Sequence, residues 1–291
     1  ALKHYAKPVA NAVGMLADKI IENKGKKIVL VSLARAGIPI GILVKRYIKF
    51  KYGINVPHYS ISIIRGRGID DNAMKYMLEK YRPQQILFVD GWIGKGAILN
   101  ELKKDISAYE GVSADIAVVA DPANVTELCG THEDILIPSS CLNSTVSGLI
   151  SRTFLRDDII GRDDFHGAVY YGELTDSDLS YDFIETIEKE FNMENTPDLE
   201  KRVESQGIDE VINIGKNFGI DDINLIKPGI GETTRVLLRR IPWKVLIDER
   251  YKGNPQLEHI VRLAEEKHTP VEYYPLTHYK CCGIIKKLAD A

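Results

Sequence analysis

Short apolar runs rich in β-branched residues alternate with segments of helical periodicity through the first half of the chain. The apolar runs predict strands at 27–32, 58–63, 85–90 and 115–119, with a weaker fifth at 134–137. The segments between them carry apolar residues at helical spacing and predict helices at 39–50, 72–81 and 95–109. This alternation is typical of a doubly wound α/β domain, in which helices cover both faces of a parallel sheet.

The pattern is less regular from 123 to 172, where we expect an accessory hood, and a helix is predicted at 178–191. The polar stretch 192–198 predicts a linker. A shorter alternation then predicts strands at 210–214, 224–227, 244–247 and 271–274, and helices at 232–240, 256–267 and the carboxyl end. We therefore expect two domains, 1–192 and 199–291, of which the second is a smaller α/β sandwich.

Composition narrows the function classes. The 291 residues are 44% hydrophobic, enough to bury two cores, and 38 basic against 41 acidic side chains argue against a strongly basic nucleic-acid footprint, so any RNA contact is expected to be local. No apolar run approaches the roughly 20 residues of a membrane span, and the amino end lacks the apolar core of a signal peptide. We expect a cytoplasmic protein without a membrane partner. The four cysteines form no C-x-x-C pair, so zinc is not expected.

Two predicted strands are followed by loops suited to anions. After the first, the turn between strand and helix offers free N–H groups, Arg35 adds a fork of donors, and Gly37 permits a close backbone approach. The predicted binding residues here are Ser32, Ala34, Ala36 and Gly37. After the second strand, Arg65 and Arg67 interleave with glycines and could fold over pyrophosphate as a mobile loop. The alternatives are an ordinary turn and a solvated arginine surface.

A third loop follows the strand at 85–90. Asp90 can accept hydrogen bonds from ribose hydroxyls, and Gly94 and Gly96 open a helix whose first N–H groups can hold a 5-phosphate. The predicted binding residues of this loop are Asp90, Gly91, Trp92, Ile93, Gly94, Lys95 and Gly96. The alternative is a glycine-rich turn in which Asp90 caps the next helix.

The region 25–140 resembles the type I phosphoribosyltransferases, whose signature is an apolar strand, two adjacent acids and a loop with Thr-Gly. Here Gly91 stands for the second acid and Lys95 for the Thr. The resemblance implies a sheet of phosphoribosyltransferase type and a ligand that is phosphoribosyl diphosphate or a nucleotide-like small molecule. It assigns catalysis to Arg35, Arg65, Arg67 and Asp90. It also implies Mg²⁺, which Asp90 would approach through the ribose; no side-chain cluster predicts a protein metal site.

The runs at 31–37, 88–92 and 137–148 look like the StiP family of tellurium-resistance and stress gene clusters. That family is described both as phosphoribosyltransferase-like and as a cysteine protease, so a catalytic Cys141 with His132 or His166 as base is a second hypothesis. In the phosphoribosyl interpretation, Cys141, Asn143 and Ser144 would instead bind the base or cosubstrate from the hood.

The second half resembles the RNA-binding domain of Pelota and the kink-turn-binding ribosomal proteins. The family's Gly-x-Asn-Glu-x-Thr-Lys signature becomes Gly229-Ile-Gly231-Glu232-Thr-Thr-Arg235, with Gly231 in place of the Asn. The resemblance implies structured RNA as a partner of Gly229, Gly231, Glu232, Arg235 and Arg239. The alternative is a tight helix start with a solvated arginine face.

Three functions follow from these features. The leading hypothesis is a phosphoribosyltransferase-like enzyme, a glycosyltransferase that displaces pyrophosphate from phosphoribosyl diphosphate. The second is a cysteine hydrolase that has reused the scaffold. The third is a non-catalytic phosphoribosyl sensor coupled to RNA binding.

Overall fold

The computed structural model describes residues 2–197 and 204–287, with only the backbone described at 141 and 143. Two sheets organise these residues. The first, of six strands, comprises β1 (Val29–Ala34), β2 (His58–Ile64), β3 (Gly68–Ile69), β4 (Ile86–Trp92), β5 (Ile116–Ala120) and β6 (Cys129–Thr131). Their order is β3-β2-β1-β4-β5-β6, and all are parallel except the short β3, which pairs antiparallel with β2. The predicted parallel α/β sheet is confirmed.

Helices cover both faces of this sheet. One face packs against α1 (Leu2–Lys24), α2 (Gly37–Tyr52) and α5 (Ser180–Glu188), and the other against α3 (Asp71–Leu78) and α4 (Ala97–Ile106). The side chain of Asp70 caps α3 by accepting from the Ala73 N–H, and Gly53 ends α2 with a φ of 69°. Helix α1 was absent from our sequence prediction. None of the helices in 2–197 and 204–287 is long and apolar enough to cross a membrane.

The fifth strand was predicted in the wrong place. The edge strand is β6, where Cys129 pairs with Val118 of β5, whereas 134–137 lies in a loop. The Asp134 carboxylate at the start of that loop accepts hydrogen bonds from the Ile230 and Lys280 N–H groups of the second half. Of the apolar residues that follow it, Leu136 packs into the core of the second half, whereas Ile135 and Ile137 pack against the core of the first. A strand pattern does not distinguish such burial in a loop from burial in a sheet. The predicted hood that follows contains short 3₁₀ turns and isolated bridges, and its role as a hood stays a prediction.

The second sheet has four strands, β7 (Ile226–Pro228), β8 (Pro242–Ile247), β9 (Val271–Tyr273) and β10 (Cys281–Ile285), in the order β7-β10-β8-β9. Helix α6 (Gly207–Phe218) packs on one face. Helices α7 (Ile230–Arg239) and α8 (Glu258–Glu266) pack on the other. The predicted smaller α/β sandwich is confirmed.

Two elements of this second unit were predicted wrongly. The run 210–214 is part of helix α6, because Val211, Ile214 and Gly215 fall on one buried helical face. The predicted terminal helix is strand β10, whose buried residues pair with β7 on one side and β8 on the other. In both places the apolar run is short enough to fit the repeat of a helix or that of a strand, and tertiary packing decides which of the two forms.

The predicted linker is packed along its described part. The Asn195 amide donates to the Asp18 carboxylate at 2.8 Å and to the Tyr47 hydroxyl at 2.9 Å. The Thr196 N–H donates to the Asn11 side chain at 2.7 Å. These contacts hold residues 195–196 against α1 and α2, while position 198 lies outside the described residues. The predicted domain limits stay a prediction.

Candidate functional site

The first loop connects β1 to α2 through Arg35 and Ala36. A Cβ atom built at Gly37 would lie 2.4 Å from the Val89 carbonyl oxygen, so helix α2 can begin here only with glycine. The close approach that we expected at Gly37 is thus to the neighbouring strand β4. The peptide bond between Ala34 and Arg35 is cis.

Arg35 lies among other arginines. Its guanidinium donates to the Ile150 carbonyl of the hood at 2.7 Å. Burial lowers the pKa of Arg35, and the nearby charges of Arg152, Arg239 and Arg235 lower it further. Arg152 comes from the hood and the other two from α7, so both halves of the chain contribute positive charge around the first loop. Such a cluster favours an anionic ligand.

The second loop is the tight turn of the β2–β3 hairpin. Ile64 pairs with Gly68, and the Arg67 N–H donates to the Ile64 carbonyl at 2.8 Å. The turn is exposed at Arg65 and Arg67. Arg65 lines the pocket described below, so the hairpin carries a guanidinium to that pocket.

The third loop begins at Asp90, at the carboxyl end of β4. The Gly91 N–H donates to the Asp90 carboxylate at 2.8 Å. Burial raises the pKa of Asp90 to about 6, against the opposing effects of that hydrogen bond and of the Arg235 charge. Gly91, which stands at the position of the missing second acid, has room for a side chain: a Cβ there would lie 3.7 Å from the Ala36 carbonyl.

The remainder of the third loop is attached to the second domain. Gly96, with a φ of 84°, precedes helix α4. The Lys95 ammonium donates to the carbonyls of Ile223 at 2.7 Å and Ile226 at 3.0 Å, and burial lowers the pKa of Lys95 to about 8. The Gly94 carbonyl accepts from the Tyr279 hydroxyl at 2.6 Å. Lys95, which replaces the signature Thr, therefore forms hydrogen bonds that join the two domains.

A pocket of about 320 Å³ lies where these loops meet the second domain. Its volume is within the range of small-ligand sites, and it lies at the carboxyl ends of parallel strands, where doubly wound folds bind ligands. The first domain lines it with residues that include Ala36, Arg65, Asp90, Trp92, Ile93, Gly94, Lys95 and Gly96. The second domain contributes Lys227, Pro228, Glu232 and Arg235. The pocket thus brings together seven of the fourteen predicted binding residues and, of the predicted arginines, Arg65. Its lining does not include Arg35, Arg67, Ala34, Gly37 or Gly91.

Ser32 is placed beneath the loops rather than in the pocket. Its buried hydroxyl lies 2.8 Å from the His58 Nε2 atom, and burial lowers the pKa of His58 to about 4. A Cβ at Gly41 would lie 2.0 Å from the Ser32 Oγ atom. Ser32 therefore fixes the packing of α2 on the sheet.

The hood residues occupy two short 3₁₀ turns, Pro138–Cys141 and Asn143–Val146. The side chains of Cys141 and Asn143 are outside the described part of the structure, so their predicted roles stay predictions. Ser144 is half-buried, and its carbonyl accepts from the N–H groups of Ser147 and Leu149.

The structure gives partners for both histidines that were predicted as bases for Cys141. The His132 Nε2 atom lies 3.3 Å from the Cys129 sulfur, and its Nδ1 atom lies 3.0 Å from the Asp121 carbonyl. Cys129 is fully buried. The His166 Nδ1 atom lies 2.9 Å from the Ser62 hydroxyl. A thiol–imidazole pair is thus present, but at Cys129, which sequence reasoning did not favour.

The RNA signature of the second domain faces the first domain. The Gly229 N–H donates to the Cys281 carbonyl, and a Cβ at Gly231 would lie 3.1 Å from the Ser140 hydroxyl. Glu232 and Arg235 form an ion pair of 2.7 Å that lines the pocket, and the Arg235 guanidinium lies 5.5 Å from the centre of the Trp92 ring. Sequence reasoning placed these residues in a separate RNA site. It also missed Arg152 and Lys227, because no local pattern signals a contact between two domains.

No group of three or more histidine, cysteine, aspartate or glutamate side chains suited to a metal ion occurs in residues 2–197 and 204–287. A Mg²⁺ ion that keeps waters and phosphate oxygens as ligands needs only one or two carboxylates from the protein. Asp90 in the pocket fits that need.

Comparison with known proteins gives two family matches. A model described as "Tellurite-like stress resistance cysteine protease StiP" matches residues 1–188, and one described as "PELOTA RNA binding domain" matches residues 205–287. A curated protein of Acinetobacter baylyi named "Cysteine protease StiP" is 32% identical, and the match covers 99% of this chain and 80% of that protein.

Solved structures similar to part of the chain include two hypoxanthine-guanine phosphoribosyltransferases. The one from Bacillus anthracis is 18% identical and covers 42% of this chain and 71% of its own, with a TM-score of 0.32. The one from Leishmania tarentolae, in complex with GMP, is 15% identical and covers 46% of this chain and 75% of its own, also with a TM-score of 0.32.

Proposed function

The chain belongs to the StiP family, and we propose that it acts as a phosphoribosyltransferase-like enzyme on phosphoribosyl diphosphate. The observation that carries the proposal is the pocket at the carboxyl ends of the parallel strands, where Asp90, Arg65 and the start of helix α4 converge. An acceptor for ribose hydroxyls, a cation and free backbone N–H groups are what a pyrophosphorylated ribose 5-phosphate requires.

Each of the three loops has a role in this reaction. The first N–H groups of α4, after Gly96, hold the 5-phosphate, and ionised Asp90 accepts from the ribose hydroxyls. Arg35 and Arg65 bind the pyrophosphate, with Arg67 beside them on the exposed hairpin turn. The bond between the anomeric carbon and pyrophosphate breaks, its electron pair leaves with pyrophosphate, and the acceptor forms a new bond to that carbon. The arginines stabilise the leaving charge.

Mg²⁺ bound with the diphosphate would supply positive charge that offsets part of that leaving charge. Among the pocket residues, Asp90 would face it through the ribose. The other pocket carboxylate, Glu232, is engaged with Arg235 and orients that guanidinium.

Calorimetry with phosphoribosyl diphosphate and Mg²⁺, followed by pyrophosphate release with a panel of bases, tests this proposal. We expect binding by the wild-type chain and about a tenfold or greater loss in Asp90→Asn, since hydrogen bonds to a charged acceptor are worth about 1.5–3 kcal/mol. Arg156→Ala, on the exposed surface of the hood, is the matched control and should bind like wild type. Absence of binding would refute the proposal, and binding without release in the presence of any base would favour the sensor coupled to RNA.

A cysteine hydrolase is the second candidate. Its support is the family description and the 3.3 Å contact between the Cys129 sulfur and the His132 ring, which is the geometry of a nucleophile and its base. The full burial of Cys129 weighs against it, because a substrate carbonyl must reach the sulfur.

Peptide hydrolysis by wild type, Cys129→Ala and Cys141→Ala separates the two cysteines. If the protein is a hydrolase, one of these substitutions abolishes cleavage and the other does not. If cleavage is lost in neither variant, or is absent from wild type, the hydrolase hypothesis is rejected.

A further inference from the structure

The helix start that resembles an RNA-reading signature is occupied by protein groups. The Ile230 N–H, the first of helix α7, donates to the Asp134 carboxylate of the first domain at 3.0 Å. The position of the signature Asn, Gly231, lies against the Ser140 hydroxyl, with no room there for a nucleobase. The residues that follow on α7 nevertheless face a cavity, and that cavity is the ligand pocket.

Arg235 lines that cavity from helix α7. Its guanidinium is held by the Glu232 carboxylate at 2.7 Å and lies 5.5 Å from the Trp92 ring centre, so a side chain of the second domain is fixed over a loop of the first. It is also close enough to Asp90 and Arg35 for its charge to act on both groups. These groups occupy the ribose and pyrophosphate sides of the site described above.

Lys95 is committed to the second domain by two of its three ammonium hydrogens, which leaves one for a ligand. Two carbonyls of the second domain, those of Ile223 and Ile226, take up hydrogens of its ammonium group. On the facing wall the second domain supplies two further cations, Lys227 and Arg235, and Arg235 is held in place by Glu232 and Trp92. A guanidinium offers the planar fork that suits a phosphate.

We propose that Arg235, oriented by Glu232 and Trp92, is a ligand-binding residue of the interdomain pocket and that the second domain forms the closing wall of a site for a phosphorylated ribose. The signature of an RNA-binding domain then serves a small anionic ligand in this chain. The identity of the ligand as a phosphoribosyl diphosphate rests on the proposed function; the role of Arg235 does not.

Tryptophan fluorescence can report ligand binding in this pocket, because Trp92 lines it. The chain has two tryptophans, so Trp243→Phe leaves Trp92 as the single reporter, next to Arg235. We would titrate this protein with phosphoribosyl diphosphate and Mg²⁺, with nucleoside 5-monophosphates, with pyrophosphate and with a structured RNA hairpin. In the same background, Arg235→Gln should weaken binding of the responding phosphate ligand about tenfold or more, and Arg235→Lys should fall between. Arg262→Gln, exposed on α8, is the matched control.

The outcomes separate the inference from the proposed function. Tight binding of phosphoribosyl diphosphate that depends on Arg235 supports both. Equal binding by Arg235→Gln overturns the inference and leaves the proposed function in place. A response to a nucleoside monophosphate alone, dependent on Arg235, supports the inference and rejects the proposed function. A response to RNA alone, or to no phosphate ligand, overturns both.

Discussion

Asp134 joins the two domains through buried hydrogen bonds, and its removal should separate them. Its carboxylate accepts from the Ile230 N–H at 3.0 Å and from the Lys280 N–H at 2.9 Å. Asp134→Ala leaves both buried donors without this acceptor, and each such donor costs about 1–3 kcal/mol. We therefore expect a loss of roughly 2–6 kcal/mol in the free energy of unfolding of the second domain.

Hydrogen exchange with urea denaturation measures this loss directly. Exchange at the Ile230 and Lys280 amides should become faster in Asp134→Ala, while the central strands of the first sheet keep their protection. Asp158→Ala, at an exposed position of the hood, is the control and should match wild type. Unchanged exchange at these two amides would refute the reasoning.

The same carboxyl gives a test with a defined sign. Burial raises the pKa of Asp134 to about 6, above its ordinary value, so its contribution to stability is complete below about pH 4 and is lost as the pH rises through about 6. The difference between the two pKa values corresponds to about 3 kcal/mol. In Asp134→Asn this dependence disappears, so the stability of wild type relative to the variant should decline between pH 4 and pH 7. A constant difference over that range would contradict the assignment.

Three further predictions concern the pocket and its support. Affinity for phosphoribosyl diphosphate should rise as the pH increases through about 6, where Asp90 ionises, and Asp90→Asn should flatten this titration in calorimetry. Gly37→Ala should destabilise the protein by about 1–3 kcal/mol in urea through its clash with the Val89 carbonyl, whereas Gly91→Ala has room and should change little. Tyr279→Phe removes a hydrogen bond to the third loop and should cost about 1 kcal/mol by the same assay; no change would show that the bond is dispensable.

The sequence predicts the first sheet well because its apolar runs are long enough to define a period. Strands β1, β2, β4 and β5 lie within two residues of their predicted limits, and their order along the chain places Arg65 and Asp90 at one edge. The same reasoning predicted a strand where the structure has helix α6, and a helix where the structure has strand β10. There the apolar runs are short, and the partner that buries them lies far away in sequence.

Of the pocket, the sequence predicts the first-domain wall and not the second-domain wall. The first-domain residues of the pocket follow strands, and a parallel sheet brings strand ends together by its topology. Nothing in the local sequence shows that Lys95 reaches the carbonyls of Ile223 and Ile226, or that Arg235 faces Trp92. Those contacts depend on how two domains meet, which no periodic pattern encodes.

The position of β10 determines when the pocket between the two domains can be completed during synthesis. This strand lies between β7 and β8, so the second sheet is divided until residues 281–285 have been made. The preceding residues Tyr279 and Lys280 hold the third loop and Asp134. A first domain that folds early on the ribosome therefore has no second wall to its pocket until β10 has been made. A product truncated before β10 would keep the three loops but lack that wall.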